Sequence, residues 1–176
     1  MRTFTRFSGA GFTLIEMLIV LSVMGIIAGL AAPGWGRFLE RSRLNTTSQD
    51  IYASIRAAQT QAQAKREIWQ FSIRDTSALV EYAIHPRATP ISSVSNWETV
   101  SAASIQIDPE TTLAQSSGIY YVQFNQRGEV HYRLGRITLS SEKASDIKRC
   151  VVVSTLIGSM RTSQEQERPD EGKFCY

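Results

Sequence analysis

The sequence predicts an α+β chain, one long N-terminal helix packed on antiparallel β-sheet, and three observations carry that prediction. An unbroken apolar run occupies Phe12 to Ala32. Apolar residues then recur every three or four positions from Leu44 to Ala62, and beyond Arg66 the period falls to two. At 176 residues the chain has room for one compact domain and an attached segment, and not for two ordinary enzyme domains. Hydrophobic residues make up 43% and charged residues 20%, which excludes both a disordered chain and a polytopic membrane protein. Lys and Arg number 19 against 16 Asp and Glu, a net charge of +3 that is too small to announce a nucleic-acid binder by itself. With 2 Cys and 2 His, neither a self-contained zinc site nor a disulfide-dense scaffold is expected.

The apolar run, FTLIEMLIVLSVMGIIAGLAA, is 21 residues long and holds one charge, Glu16. As a helix it spans roughly 30 Å, the thickness of a bilayer's hydrocarbon core, and reads as a single transmembrane helix over 12–32. Ahead of it the segment 1–11, MRTFTRFSGAG, carries Arg2 and Arg6 and no acid. A basic leader before an apolar stretch also describes a secretory signal peptide, cut near Ala31 or Ala32. Against that, the run is long for such a segment and opens on a carboxylate. Glu16 needs compensation, because an acid at mid-bilayer costs about 2.5–3.5 kcal/mol on insertion scales. Either it lies near the membrane end and reaches the headgroups, or it has a specific partner. Gly25 and Gly29 form a GxxxG spacing that permits close approach of another helix.

The stretch Gly11-Phe12-Thr13-Leu14-Ile15-Glu16, set after a short basic leader and before a single apolar helix, resembles the processing motif of type IV prepilins and type II secretion pseudopilins. The resemblance implies a pilin-like fold, a cut between Gly11 and Phe12 by a prepilin peptidase, and N-methylation of Phe12. It implies that Glu16 is the assembly carboxylate, paired with the terminal amine of a neighbouring subunit. Other pilin or pseudopilin subunits and an inner-membrane assembly platform follow as partners. The resemblance also places the chain in the inner membrane as a single pass, with its C-terminal domain outside the cytoplasm. Charge does not choose that orientation, since Arg37, Arg41 and Arg43 follow the apolar segment against Arg2 and Arg6 before it. Pro33 falls where pilins often carry a helix-interrupting proline. Type IV pilus and type II secretion pseudopilus share motif and helix, and the sequence leaves both open.

Pro33, Gly34 and Gly36 are expected to loosen the helix, whose continuation occupies 33–66. Leu44, Ser48, Ile51, Ile55, Ala58 and Ala62 make one stripe ending near Lys65, with Asp50, Arg56 and Gln59 off it. A β-rich domain is expected over 67–158. Trp69, Phe71 and Ile73 alternate with polar residues, as do Val80, Tyr82 and Ile84. His85 to Asn96 reads as a loop. Ile105 and Ile107, then Tyr120, Val122 and Phe124, then Val130, Tyr132 and Leu134, then Ile137 and Leu139, and finally Val151 and Val153 mark further strands. The segment 159–176 is polar and is expected to be a tail. The turn from Phe124 to Gly128, a strand ending in Val153-Ser154 and the Gly158-x-x-Arg161 pattern are similar to the carboxyl half of the GspH/FimT group of minor pseudopilins and minor pilins. That similarity implies a long helix packed on two β-sheets.

No catalytic constellation is found, and no cofactor or metal site is expected. His85 and His131 stand apart from any nucleophile or ligand pair, and the common catalytic and phosphate-binding motifs are missing. Between Arg127 and Arg161 the net charge is +4, and from Thr162 onward it is −2. In FimT-like competence pilins a Gly-Arg-x-Arg stretch contacts DNA phosphates, which makes DNA an alternative partner, with Arg149 and Arg161 as the candidate contacts. Ser159 stands where that pattern has its first Arg. Two cysteines in an exported domain, in a family that often pins its carboxyl-terminal loop, imply a Cys150–Cys175 disulfide. Two free thiols, or a Cys175 that pairs with another subunit, remain the alternatives. The resulting reading is a minor pilin or pseudopilin without chemistry of its own; the alternative is a DNA-binding minor pilin for natural transformation.

Overall fold

The computed structural model describes residues 11–76, 79–100 and 104–176, with the side chains of 30–33 excepted. It is an α+β fold of one long helix and two antiparallel sheets, as expected. The chain divides into two compact units, one ending at Phe38 and one from Leu39 to Tyr176. The first holds the start of helix α1 (Leu14–Lys65), where Phe12, Leu14, Ile19, Ile26 and other large apolar side chains are exposed. Among the described residues no single helix is by itself long and apolar enough to cross a membrane. The segments Leu14–Gly29 and Gly34–Lys65 pass that test only together, by length and composition. Helix α1 runs on through Pro33, Gly34 and Gly36.

In the second unit the helix buries Leu44, Ser48, Ile51, Ile55, Ala58 and Ala62, one side chain per turn along a single face. Fully burying each large aliphatic contributes roughly 1.5–3 kcal/mol. Arg66, at φ 54°, adopts the left-handed conformation that stops the helix. The first sheet has the order β3-β2-β1-β6-β5, built from β1 (Trp69–Asp75), β2 (Val80–Pro86), β3 (Glu98–Thr99), β5 (Ala114–Ser116) and β6 (Ile119–Phe124). The second has the order β10-β9-β8-β7-β4, from β4 (Ile105–Ile107), β7 (Gly135–Ser141), β8 (Ala144–Val153), β9 (Met160–Asp170) and β10 (Lys173–Cys175). Phe71, Ile73, Val122 and Phe124 from the first sheet and Ile137, Leu139, Val151 and Val153 from the second join the helix stripe in one core.

Four expectations need correction. The segment 159–176 is no loose tail: β9 extends the second sheet by pairing Met160–Gln164 with β8, then turns back on β10. His85 lies in β2 and not in a loop. Gln59 is buried, though it stands beside the apolar stripe. Val130, Tyr132 and Leu134 do not form a strand, because the chain changes sheets there. Val130 makes one bridge to Phe124, its N–H goes to the Leu156 carbonyl, and Tyr132 is left exposed before β7 begins. The short strands β3 and β5 carry no apolar alternation of their own.

Candidate functional site

The residues of the methylation-type motif sit at the first turn of α1. Thr13 is the N-cap: its hydroxyl accepts from the Glu16 N–H at 3.3 Å, while the Glu16 carboxylate accepts from the Thr13 N–H at 3.4 Å. This reciprocal arrangement satisfies two donors that a helix start leaves unpaired. It also turns the carboxylate back toward Phe12, into the favourable end of the helix dipole. Phe12 is 75% exposed and Leu14 79% exposed. A side chain built at Gly25 or Gly29 would meet nothing within 4 Å, so neither glycine is required by packing inside this chain. Gly11, at the expected cut, likewise has open space around it.

The basic stretch does not act as one patch. Arg149 is only 8% exposed; its Nε donates to Asn45 Oδ1 at 2.5 Å, and its guanidinium also bonds the Lys148 carbonyl and Glu165. Lys148 bridges Asp108 at 3.1 Å and Glu110 at 2.6 Å. Burial pulls its pKa down, but the hydrogen bonds to Glu110 and Asp108 outweigh that and raise it. Arg136 donates to the Cys175 carbonyl at 2.6 Å. Of the two candidate DNA contacts, Arg149 is therefore spent inside the fold, while Arg161 is exposed on β9 opposite Val152. The structure does not bring them together as a surface.

Cys150 and Cys175 are bonded, with Cα atoms 6.1 Å apart, and both are fully buried. The bond fastens β10 onto β8. The two histidines are held by ordinary contacts. His85 lies 3.0 Å from the Ser72 hydroxyl and 3.0 Å from the Pro86 carbonyl, and His131 takes a hydrogen bond from Arg87. Among the described residues no group of three His, Cys, Asp or Glu could hold a metal.

Two polar residues of α1 tie the helix to the sheets, and sequence reasoning missed both. Glu40, 6% exposed, accepts from Ser141 at 2.8 Å and Ser104 at 3.2 Å and pairs with Arg43. Gln59 Nε2 donates to the carbonyls of Gly128 at 2.6 Å and Gly158 at 3.2 Å. Their signal was positional: Glu40 lies four residues before Leu44, and Gln59 lies four after Ile55, so both border the buried stripe. Gly128 and Gly158 have φ of 78° and 79°, and a side chain at either would collide with the glutamine amides of the helix. The glycine of the Gly158-x-x-Arg161 pattern is thus required by helix packing.

The family model for the prokaryotic N-terminal methylation motif matches residues 6–32. The crystal structure of the type IV minor pilin FimU of Pseudomonas aeruginosa (strain PAO1) has a similar fold, with a TM-score of 0.50 and 13% identity, over 70% of this chain and 90% of that one. The chain carries a prokaryotic N-terminal methylation motif ahead of a pilin-like fold. The minor pseudopilin EpsH from the Type 2 Secretion System of Vibrio cholerae aligns with this chain at a TM-score of 0.47 and 13% identity, over 69% of this chain and 97% of that one. No curated protein sequence matches this chain.

Proposed function

We propose that the chain is a minor pilin or pseudopilin, a structural subunit processed by prepilin peptidase and assembled through its N-terminal helix. In this reading residues 1–11 are the leader, the cut falls between Gly11 and Phe12, Phe12 is methylated, and 12–32 anchors the subunit in the inner membrane. Assembly then exchanges bilayer for neighbouring helices around the same apolar surface. The observation that carries the reading is the helix start. Glu16 lies within the matched methylation motif, is held by Thr13 close to where a new amine would form, and heads a helix with exposed apolar side chains. An ion pair between that carboxylate and a neighbour's terminal amine would offset the cost of placing either charge in the membrane.

The test is mass spectrometry of the exported protein together with sedimentation of sheared filaments. The mature chain should begin at methylated Phe12, and Gly11→Leu should leave it at full length. Glu16→Ala should still be cut yet disappear from the filament fraction. A mature chain beginning near Pro33 would overturn the reading in favour of a secreted domain. Deleting the gene and scoring secretion, twitching and transformation in parallel assigns the subunit to a pseudopilus or a pilus. DNA uptake is not favoured, because Arg149 is committed to Asn45 and Glu165.

A further inference from the structure

A polar cleft of about 310 Å³ lies between α1 and β9, lined by Asn45, Ser48 and Gln49 on the helix, by Thr162 to Gln164 on the strand, and by Arg149. Its origin is the register of β9. Gln164, Thr162 and Met160 pair with Arg149, Val151 and Val153, the residues of β8 whose side chains face the helix. With Thr and Gln at two of those three places, β9 cannot seal against α1 as an apolar strand would. Ser48 lies within the cleft and is 2% exposed, and its hydroxyl has no hydrogen-bond partner among the described residues. Ser22, Thr46, Ser54 and Thr60 on the same helix all donate to the carbonyl four residues back, at 2.8–3.2 Å. Ser48 makes no such bond. A buried, unpaired hydroxyl is costly, and the usual remedy is a partner from elsewhere.

A second feature of the same place points to what that partner is. β10 pairs with β9 only from Glu165 to Asp170, on the side away from β8. Along Met160–Thr162 that outer edge has no strand beside it among the described residues, so its main-chain groups are open to pairing. The cleft is also electrically balanced, because its one cation, Arg149, is already paired with Glu165. An open strand edge above a neutral cleft lined with carboxamides and hydroxyls fits an extended polypeptide. The main chain can add to the edge, and an uncharged polar side chain can enter the cleft. A carbohydrate would be expected to find an aromatic face, and none lines the cleft.

We infer that the outer edge of β9 and the cleft beneath it form a docking site for an extended segment of a neighbouring subunit. One uncharged hydrogen-bonding side chain of that segment reaches the Ser48 hydroxyl. The inference rests on the subunit reading above, and its test separates the two. The photocrosslinker p-benzoyl-phenylalanine replaces Gln49 at the rim of the cleft, or Ile19 in the apolar helix as a control, in the full chain expressed in its own host. Adducts are mapped by mass spectrometry. The Gln49 probe should capture an extended segment of a pilin-type subunit. The yield should fall about fivefold in Ser48→Ala, which removes the hydroxyl but keeps the space. It should vanish in Ser48→Leu, which fills the cleft, while Ile19 adducts and the Tm of the Ser48→Ala chain hold. Ile19 adducts without any at Gln49 would overturn the docking site and leave the subunit reading standing, the cleft then holding water. A Gln49 adduct to a helix, or one insensitive to both Ser48 variants, would also overturn it. Absence of adducts at both positions would overturn the subunit reading and the docking site with it.

Discussion

Glu40 is a carboxylate placed among hydroxyls, and its protonation is coupled to folding. The Ser141 hydroxyl bonds it and lowers its pKa against the upward push of burial, with Ser104, Arg43 and Lys143 adding to the lowering. A carboxyl whose native pKa is depressed supplies stability above its ordinary value of 4.5 and loses it as pH falls through the native one. Glu40→Leu leaves Ser104 and Ser141 without an acceptor and should cost about 2–3 kcal/mol at pH 7, read by urea unfolding. The gap between the variant and the native chain should narrow below pH 4.5. If it stays constant down to pH 3, Glu40 acts through packing alone. Residues of this kind are hard to see in a sequence, because a single charge beside a stripe is usually solvated. Only the position relative to Leu44 separates Glu40 from Arg41, which is exposed.

At the scale of elements, the disulfide and β10 act together. Closing the chain between Cys150 and Cys175, 25 residues apart, stabilises the fold by roughly 3 kcal/mol in the chain-entropy description. In the double variant Cys150→Ser with Cys175→Ser, urea unfolding should show that loss. Trypsin should also cut after Lys173 faster than in the native chain, whereas the Arg168–Pro169 bond resists it in both. Equal cleavage rates would mean that β10 is held by Glu110, which accepts from the Phe174 and Cys175 N–H groups. The helix was legible because its stripe from Leu44 to Ala62 is wholly buried. Strands β1, β2, β6, β7 and β8 were legible because Phe71, Val80, Val122, Ile137 and Val151 mark core positions. β9 was not, since Arg161, Ser163, Gln164 and Glu167 carry no alternation of apolar side chains. The remaining signal was the turn: Glu171-Gly172 and Ser117-Gly118 both have positive φ at two successive residues, which is a tight hairpin link. Either pair could have placed β10 or β5.

Across the whole molecule, Lys148, Arg149 and Arg136 are engaged in internal contacts, so the cations counted between Arg127 and Arg161 overstate what that stretch offers to a polyanion. Duplex DNA titrated against the full chain should bind in the non-specific range, with Kd of about 10⁻⁴–10⁻⁶ M at physiological salt. Arg149→Ala should lower the Tm without changing the slope of affinity against salt; a slope that drops by about one contact would restore Arg149 as a phosphate ligand. The candidate assembly residues were legible from one short motif, whereas the cleft under β9 was not, because it depends on a register between segments more than a hundred residues apart. The pair Glu40 and Gln59 has a mechanical meaning. They fasten the helix to the sheets at points roughly 28 Å apart along its axis. A pull directed along α1 therefore loads both fastenings and the apolar stripe between them at once, in shear. Gln59 grips a turn of each sheet, so tension divides between the two and cannot peel one away first. A domain tethered in this way resists axial force far better than force applied across the helix.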